Sequence, residues 1–244
     1  MMEINRISLL EVDSTNNYAS NLMKSETLPH GSVITAQFQT HGRGQREHIW
    51  ASEANKNLMA SWVFHFSLFK VTRSFAYNQA IALALRESIA QFLNHEVYIK
   101  WPNDIVVQNK KLAGILIENM VQGDTIKSSI CGIGVNVFQQ SFEVQHASSM
   151  ILQGAQLKDV DEVLYCLHQN LLKRIESVHS HPVLMDREYL QHLYQFGKNI
   201  DFYHNQRKMG GQIKGVDEWG RLLLETHDGK THHFQAGEIQ WIWA

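Results

Sequence analysis

The sequence predicts an α+β fold: a mixed, mainly antiparallel sheet with helices, followed by a small β-barrel. Three observations predict it. Apolar, aromatic and β-branched runs of strand character occur at Asn57 to Phe69 and at "SSICGIGVNVF"; apolar residues recur every four positions at Tyr77, Ile81, Leu85, Ile89 and Leu93; and past about Gly197 short strands alternate with turn residues up to "IQWIWA". The first gives buried strands, the second a helix, and the third a separate barrel of about 45 residues. A boundary is expected near residue 195, with domains 1–195 and 196–244.

Along the chain, Asp13-Ser14-Thr15 precedes apolar residues at helical spacing, Tyr18, Leu22 and Met23, and each of the three can cap a first turn. Pro29-His30-Gly31 marks a turn, and "SVITAQF" alternates as a strand that delivers the chain into "THGRGQREHIW", Thr40 to Trp50, a polar glycine-rich loop. The long apolar strand and the helix from Ser74 to Leu93 follow. "EVYIKWPND" ends a strand at a proline. "DIVVQNKKLAGILIENM" reads as a hairpin with its turn at Gln108 to Lys110. Asp159 to Val178 places Val160, Val163, Leu164, Leu167, Leu171 and Ile175 on one face, the pattern of a helix lying on the sheet. Turn residues at Asn205, Gly210-Gly211, Asp217 to Gly220 and Asp228-Gly229 punctuate the terminal strands.

The 244 residues carry 22 Lys and Arg against 24 Asp and Glu; at net charge −2 the bulk electrostatics do not suit a phosphate polymer, so any basic site is local. Charged residues at 19% and hydrophobic ones at 44% mark a globular chain rather than a disordered one. No basic segment with a long apolar stretch opens the sequence, and no window reaches the roughly 18 apolar residues of a membrane span. A cytoplasmic protein with no membrane partner is expected. Cys131 and Cys166 lack CxxC spacing and sit among apolar residues, the setting of two buried thiols.

Four clusters carry polar chemistry. In "HGRGQREHIW" the glycines let backbone amides approach an anion beside Arg43, although a bare GxG matches no nucleotide fingerprint and also suits a solvated hairpin loop. Trp50 either stacks on a base or anchors the loop to the core. In Lys100 to Glu118 the hairpin brings Asn103 and Lys111 toward a common edge, and Gly114 inside an apolar strand marks a close approach of ligand or backbone. Asn136 in "GIGVNV" must satisfy its amide from neighbouring backbone or from a ligand. "DSTNN" is a helix cap or a binding segment. The histidines are scattered, no nucleophile has an adjacent base, and no metal ligands are expected, so binding and positioning are favoured over covalent catalysis.

In this order and spacing, "DSTNN", "QTHGRGQREHIW", "KWPND", "KKLAGILIE" and "GIGVNV" resemble the catalytic core of biotin protein ligases, and the terminal segment is similar to that family's SH3-like C-terminal domain. The resemblance implies a core related to class II aminoacyl-tRNA synthetases. It implies that biotin and ATP, with Mg²⁺, form biotinyl-5′-adenylate, and that a lysine of a biotin carboxyl carrier protein then takes the biotinyl group. Many bacterial members carry a helix-turn-helix ahead of this core; here none is expected, and no DNA partner. Family members often pair through sheet edges, which makes a homodimer compatible with the resemblance.

By matching positions, the resemblance puts Ser14, Thr15, Asn16 and Gln39 at the ureido end of biotin and Arg43, Gly44 and Gln45 in the loop over it. Lys111 falls at the biotin carboxylate and α-phosphate, and Gly114 gives the ligand backbone access. Arg46, Trp50, Asn103, Lys111 and Asn136 fall at the nucleotide, with Lys111 and Arg43 as the catalytic cations. The loop departs from its more basic form GRGRRGRxW: Gln45 and His48 replace arginines and Glu47 a glycine, which shifts phosphate binding onto Arg46 and Lys111. Two alternatives stand beside this reading: a lipoate or octanoate ligase or transferase of the same fold, and a non-catalytic biotin-binding protein.

Overall fold

The computed structural model describes residues 4–178 and 182–243. A seven-stranded sheet is built from β1 (Arg6–Val12), β2 (Ser32–Gln39), β3 (Asn57–Lys70), β4 (Val97–Lys100), β5 (Asp104–Val107), β6 (Lys110–Gln122) and β7 (Thr125–Asn136), in the order β1-β2-β3-β7-β6-β5-β4. β1 and β2 run parallel and the other neighbours antiparallel. Parallel pairing needs a crossover, and α1 (Thr15–Ser25) supplies it. The β5–β6 connection is a two-residue turn with Gln108 and Asn109 both at positive φ, a geometry that matches the twist of the strands it joins.

Strand alternation divides the sheet into two faces. Ala60, Trp62 and Phe64 of β3, Cys131, Ile133 and Val135 of β7 and Ala113 and Ile115 of β6 enter the main core. There they meet α2 (Ser74–Ala90), α3 (Val160–Ser177) and α4 (Pro182–Gln191). Tyr77, Ile81, Leu85 and Ile89 of α2 are buried as their spacing predicts. Leu93 lies beyond the end of the helix and is partly buried. Asp159 caps α3 by accepting from Glu162 N at 3.1 Å, and the expected apolar face is buried across α2 and β3. Trp62 Nε1 donates to His168 Nδ1 at 3.2 Å; burial pulls that histidine below its ordinary pKa, which keeps the ring neutral and able to accept.

The opposite face carries Met59, Ser61 and Val63 of β3 and Ile130, Gly132 and Gly134 of β7, and α1 covers only part of it. That is where a cavity opens. The C-terminal segment forms a separate five-stranded antiparallel sheet, β11-β10-β9-β8-β12, from β8 (Asn199–His204), β9 (Arg207–Val216), β10 (Leu222–Thr226), β11 (Thr231–Phe234) and β12 (Ile239–Trp241). Two elements went unpredicted. β1 is half exposed and short of strong alternation, and α4 is a brief ten-residue helix that leaves Val183 and Leu184 exposed. Cys131 is buried as expected and its thiol is pushed up by burial, whereas Cys166 is only half-buried, with Sγ 3.9 Å from Ser88 O. Among the described residues no helix is long and apolar enough to cross a membrane.

Candidate functional site

One cavity of about 270 Å³ lies on the α1 side of the sheet, lined by Ser14 to Asn16, Gln39, the loop from Arg43, Asn103, Lys111 and Gly114. Every residue expected at the site lines it except Asn136. Its size is at the lower end of small-molecule sites, which run to roughly 300–1,000 Å³. A second hollow of about 730 Å³ adjoins it at Gln45, Asn103 and Ile115.

At one end the N-terminus of α1 points into the cavity. Ser14 holds the N-cap position with extended backbone, but its hydroxyl makes no capping bond. Gln39 Oε1 accepts from Thr15 N at 2.8 Å and from Thr15 Oγ1 at 3.1 Å. Ser61 Oγ lies 2.7 Å from Thr15 Oγ1 and 2.6 Å from Asn16 Oδ1. Asn16 Nδ2 donates to Glu118 Oε2 at 2.7 Å, and Glu118 Oε1 pairs with Arg43 Nη2 at 2.9 Å. Arg43 also donates to Asn17 Oδ1 at 2.8 Å. One polar chain therefore fixes α1, β2, β3, β6 and the loop relative to one another. Ser61, wholly buried, and Glu118 were not assigned by sequence; a lone serine in an apolar strand was the available signal for the first.

Gly132 and Gly134 explain why α1 and the loop come so close. A Cβ on Gly132 would stand 2.3 Å from Asn16 Oδ1, and one on Gly134 would stand 2.4 Å from Trp50 Cε2. The indole of Trp50 lies on the sheet, so Trp50 anchors the loop. The space above Gly114, expected for a ligand, is shared by the Trp50 ring edge and the Lys111 side chain, 3.2 and 3.5 Å from a Cβ placed there. Trp50 Nε1 is buried without a partner among the described residues. From β2 to Trp50 the loop folds on itself: Trp50 N donates to Gly42 O at 2.9 Å and Gly44 N to His48 O at 2.7 Å. Arg46, with φ 51°, packs its guanidinium onto Gly237 in the turn between β11 and β12.

The other end is cationic. Lys111 Nζ lies 2.7 Å from Asp104 Oδ1 and 5.7 Å from the Trp50 ring centroid. Asp104 Oδ1 forms no well-directed hydrogen bond, so this pair is held by charge rather than by bond geometry. Lys100, also on the wall, is 7% exposed, and burial lowers its pKa to about 8 against the help of Asp104, with Lys111 adding to the fall. Asn136 is the expected residue that does not line this cavity. Its Nδ2 donates to Ser148 O at 3.0 Å and its carbonyl accepts from Met150 N, outside the cavity. The segment it holds bonds Lys111 on both sides, His146 O accepting from Lys111 N at 2.7 Å and Lys111 O from Ser148 N at 2.9 Å. Asn136 thus supports the backbone of Lys111.

Fold and site together define a class: a mixed-sheet domain with a concave site that is neutral and hydrogen-bonding at one end and cationic at the other, adjoined by a small antiparallel sheet. The pattern of the biotin/lipoate A/B protein ligase family matches residues 10–136, and that of the biotin protein ligase C-terminal domain matches residues 196–241. The chain belongs to the biotin/lipoate A/B protein ligase family. It is 28% identical to a biotin-[acetyl-CoA-carboxylase] ligase of Mycobacterium tuberculosis, over 86% of this chain and 78% of that protein. It is 27% identical to the bifunctional ligase/repressor BirA of Bacillus subtilis, over 93% of this chain and 71% of that protein. The solved biotin protein ligase of Aquifex aeolicus in complex with biotin and ATP superposes with a TM-score of 0.77 at 24% identity, over 98% of this chain and 99% of that one, a likeness of fold.

Proposed function

We propose that this protein is a biotin protein ligase: it joins the biotin carboxylate to ATP, then passes the biotinyl group to a lysine of a biotin carboxyl carrier protein. The observation that carries this reading is the polarity of the cavity beside α1. Its neutral end, at the N-terminus of α1, offers the Ser14 hydroxyl, which makes no capping bond, and the Gln39 amide, whose oxygen is held by Thr15 while its nitrogen is left to donate. They answer a ureido ring, which carries both N–H donors and a carbonyl acceptor. A dithiolane or plain acyl chain would leave those groups unanswered, at about 1–3 kcal/mol for each that is buried.

At the cationic end the chemistry follows from charge. A carboxylate oxygen of biotin forms a bond to the ATP α-phosphorus, the bond from that phosphorus to the bridging oxygen breaks, and pyrophosphate leaves with the electron pair. Two anions must be pressed together, so Lys111 and Arg43 hold the carboxylate and α-phosphate, with Arg46 and Asn103 on the nucleotide side. The Trp50 N–H, buried and unpartnered, is available to the ligand. Arg43, Gly44 and Gln45 cover the mixed anhydride from water. The carrier amine then attacks the acyl carbon and AMP departs. Among the described residues no group of three or more His, Cys, Asp or Glu gathers around one point, and Asp104 is the carboxylate on the described cavity wall. That donor set suits Mg²⁺ carried mainly by phosphate oxygens and water, where it would offset their charge.

The same reading assigns the main sheet to the class II synthetase-like fold and the terminal sheet to an SH3-like barrel, divided at residue 195. It places the protein in the cytoplasm. A homodimer would use the open β1 edge, because a backbone bridge from Ile99 to Leu193 covers β4. The deciding experiment supplies biotin, MgATP and a carrier domain. Carrier labelling and pyrophosphate release are expected, with Lys111→Ala slowing turnover by roughly 10²–10³. Absence of labelling, with the variant no different, would overturn the reading. Biotin binding without pyrophosphate release would indicate a binding protein, and preference for lipoate the other branch of the family.

A further inference from the structure

The last strand and its continuation bring three aromatic residues and a lysine together at the rim of the cavity. Lys100 Nζ sits 4.8 Å from the Trp241 ring centroid and 4.7 Å from that of Trp243. Trp243 stacks on His146, ring centroids 4.7 Å apart and planes 11° apart, and both indoles pack near Tyr194 at 6.3 and 6.5 Å. Tyr194 is itself fixed, its N donating to Ile99 O and its OH to Asn109 Oδ1. The ammonium of Lys100 makes no hydrogen bond or ion pair among the described residues. It is a buried cation held by π faces, with its charge not cancelled by direct pairing.

We propose that Trp241 and Trp243 are positioning residues of the catalytic centre, clamping the Lys100 ammonium at the cavity wall as a further cation for the phosphates of ATP. This rests on the ligase reading. Two observations carry it. Trp241 and Lys100 both line the cavity, although they come from different sheets. The ring that Trp243 covers belongs to His146, whose carbonyl accepts the backbone N–H of Lys111. The tail therefore touches the support of both lysines at once, and it supplies a fixed charge on the wall facing a loop where Gln45 stands in place of an arginine. Indoles suit the task, because a carboxylate in their place would neutralise the cation that the phosphates need. The charged groups acting on Lys100 are Asp104, which favours its protonated form, and Lys111, which opposes it; burial opposes it most, and His146 lies behind Trp243.

The test uses the full chain with lysines labelled at the ε carbon, and compares the parent with Trp243→Leu, Trp243→Phe and Lys100→Arg. A resonance titrating near pH 8 and absent from Lys100→Arg is Lys100. In Trp243→Leu, which keeps apolar bulk but has no π face, the ammonium stays desolvated and loses a face that favours its charge, so the titration should fall by about one unit or more. The KM for ATP should rise roughly tenfold while that for biotin holds, and Trp243→Phe should restore both. An unmoved titration in Trp243→Leu, equal losses for biotin and ATP, or a phenylalanine variant as impaired as the leucine one would overturn the proposal. If the parent itself released no pyrophosphate, the ligase reading would fall, and the Lys100 titration would still decide the clamp.

Discussion

Replacing Gly134 by alanine probes how the loop is held. The new Cβ would stand 2.4, 2.6 and 2.9 Å from three atoms of the Trp50 indole. Carbon atoms at ease sit about 3.5–4.0 Å apart, so the ring must retreat by roughly 1 Å or more. It cannot slide toward β6, because the ring edge is already 3.2 Å from the Cβ position of Gly114. Forcing the overlap into the sheet costs about 1–3 kcal/mol. Lifting the indole off loses a similar amount of apolar burial, about 2–3 kcal/mol, but frees the unpartnered Nε1 to reach water, worth about 1–3 kcal/mol. Undocking is therefore the cheaper response, with a net cost near 1 kcal/mol. For a chain of this size that lowers the melting temperature by about 2–4 °C. Trypsin should cut at Arg43 or Arg46 roughly tenfold faster, and the KM for biotin should rise by a similar factor. A folded Gly134→Ala protein with parental tryptic rate and KM would refute the anchoring argument, as would a collapse in melting temperature with the loop still protected.

Three further perturbations separate structure from binding. Ser61→Ala removes a wholly buried hydroxyl shared by Thr15 and Asn16 and should cost about 1–3 kcal/mol in urea unfolding, together with a weaker grip on biotin measured by calorimetry. Glu118→Gln breaks an ion pair whose side chains are 43% and 35% exposed, so stability should change by less than about 1 kcal/mol while the KM for biotin rises several-fold, because Arg43 and Asn16 lose their common partner. Arg174 donates to both carboxylate oxygens of Glu188 at 2.6 Å and holds that carboxyl below its ordinary value of 4.5. A lowered folded-state pKa gives stability that is complete above 4.5 and lost as pH falls through the folded value. The melting-temperature gap between the parent and Glu188→Gln should therefore close on acidification below pH 4.5, and a gap unchanged there would contradict the pairing.

What the sequence made legible follows from range. Helix faces such as Tyr77-Ile81-Leu85-Ile89 and Val163-Leu167-Leu171 were readable because a helix repeats its environment within four residues. The β5–β6 hairpin was readable from its turn, and the loop and "KWPND" from motif order. Trp50 on Gly134 and Trp241 on Lys100 were not, because partners 84 and 141 residues apart leave no periodic trace. The choice left open for Asn136, backbone or ligand, was not legible for a related reason. An amide in an apolar strand demands a partner, but its sequence neighbours do not reveal that Ser148 returns to provide it.

Gly114, Gly132 and Gly134 look alike in sequence, and the first suggested a close approach of ligand or backbone. All three face protein: Gly132 receives Asn16, Gly134 receives the Trp50 indole, and Gly114 meets the edge of that ring and the Lys111 side chain. The alternation of β7 explains why this is not a loss of function. Cys131, Ile133 and Val135 must fill the helical side, so only the residues between them can be small, and small residues there lower the floor of the other face by a side-chain layer. Asn16 and Trp50 can then lie flat on the sheet, one bringing the polar end of the site and the other the loop that closes it. The cavity is what remains between them. Its shape is set less by residues that touch a ligand than by the absent Cβ atoms beneath those residues, so bulk added to β7 should disable the site before it disturbs the core.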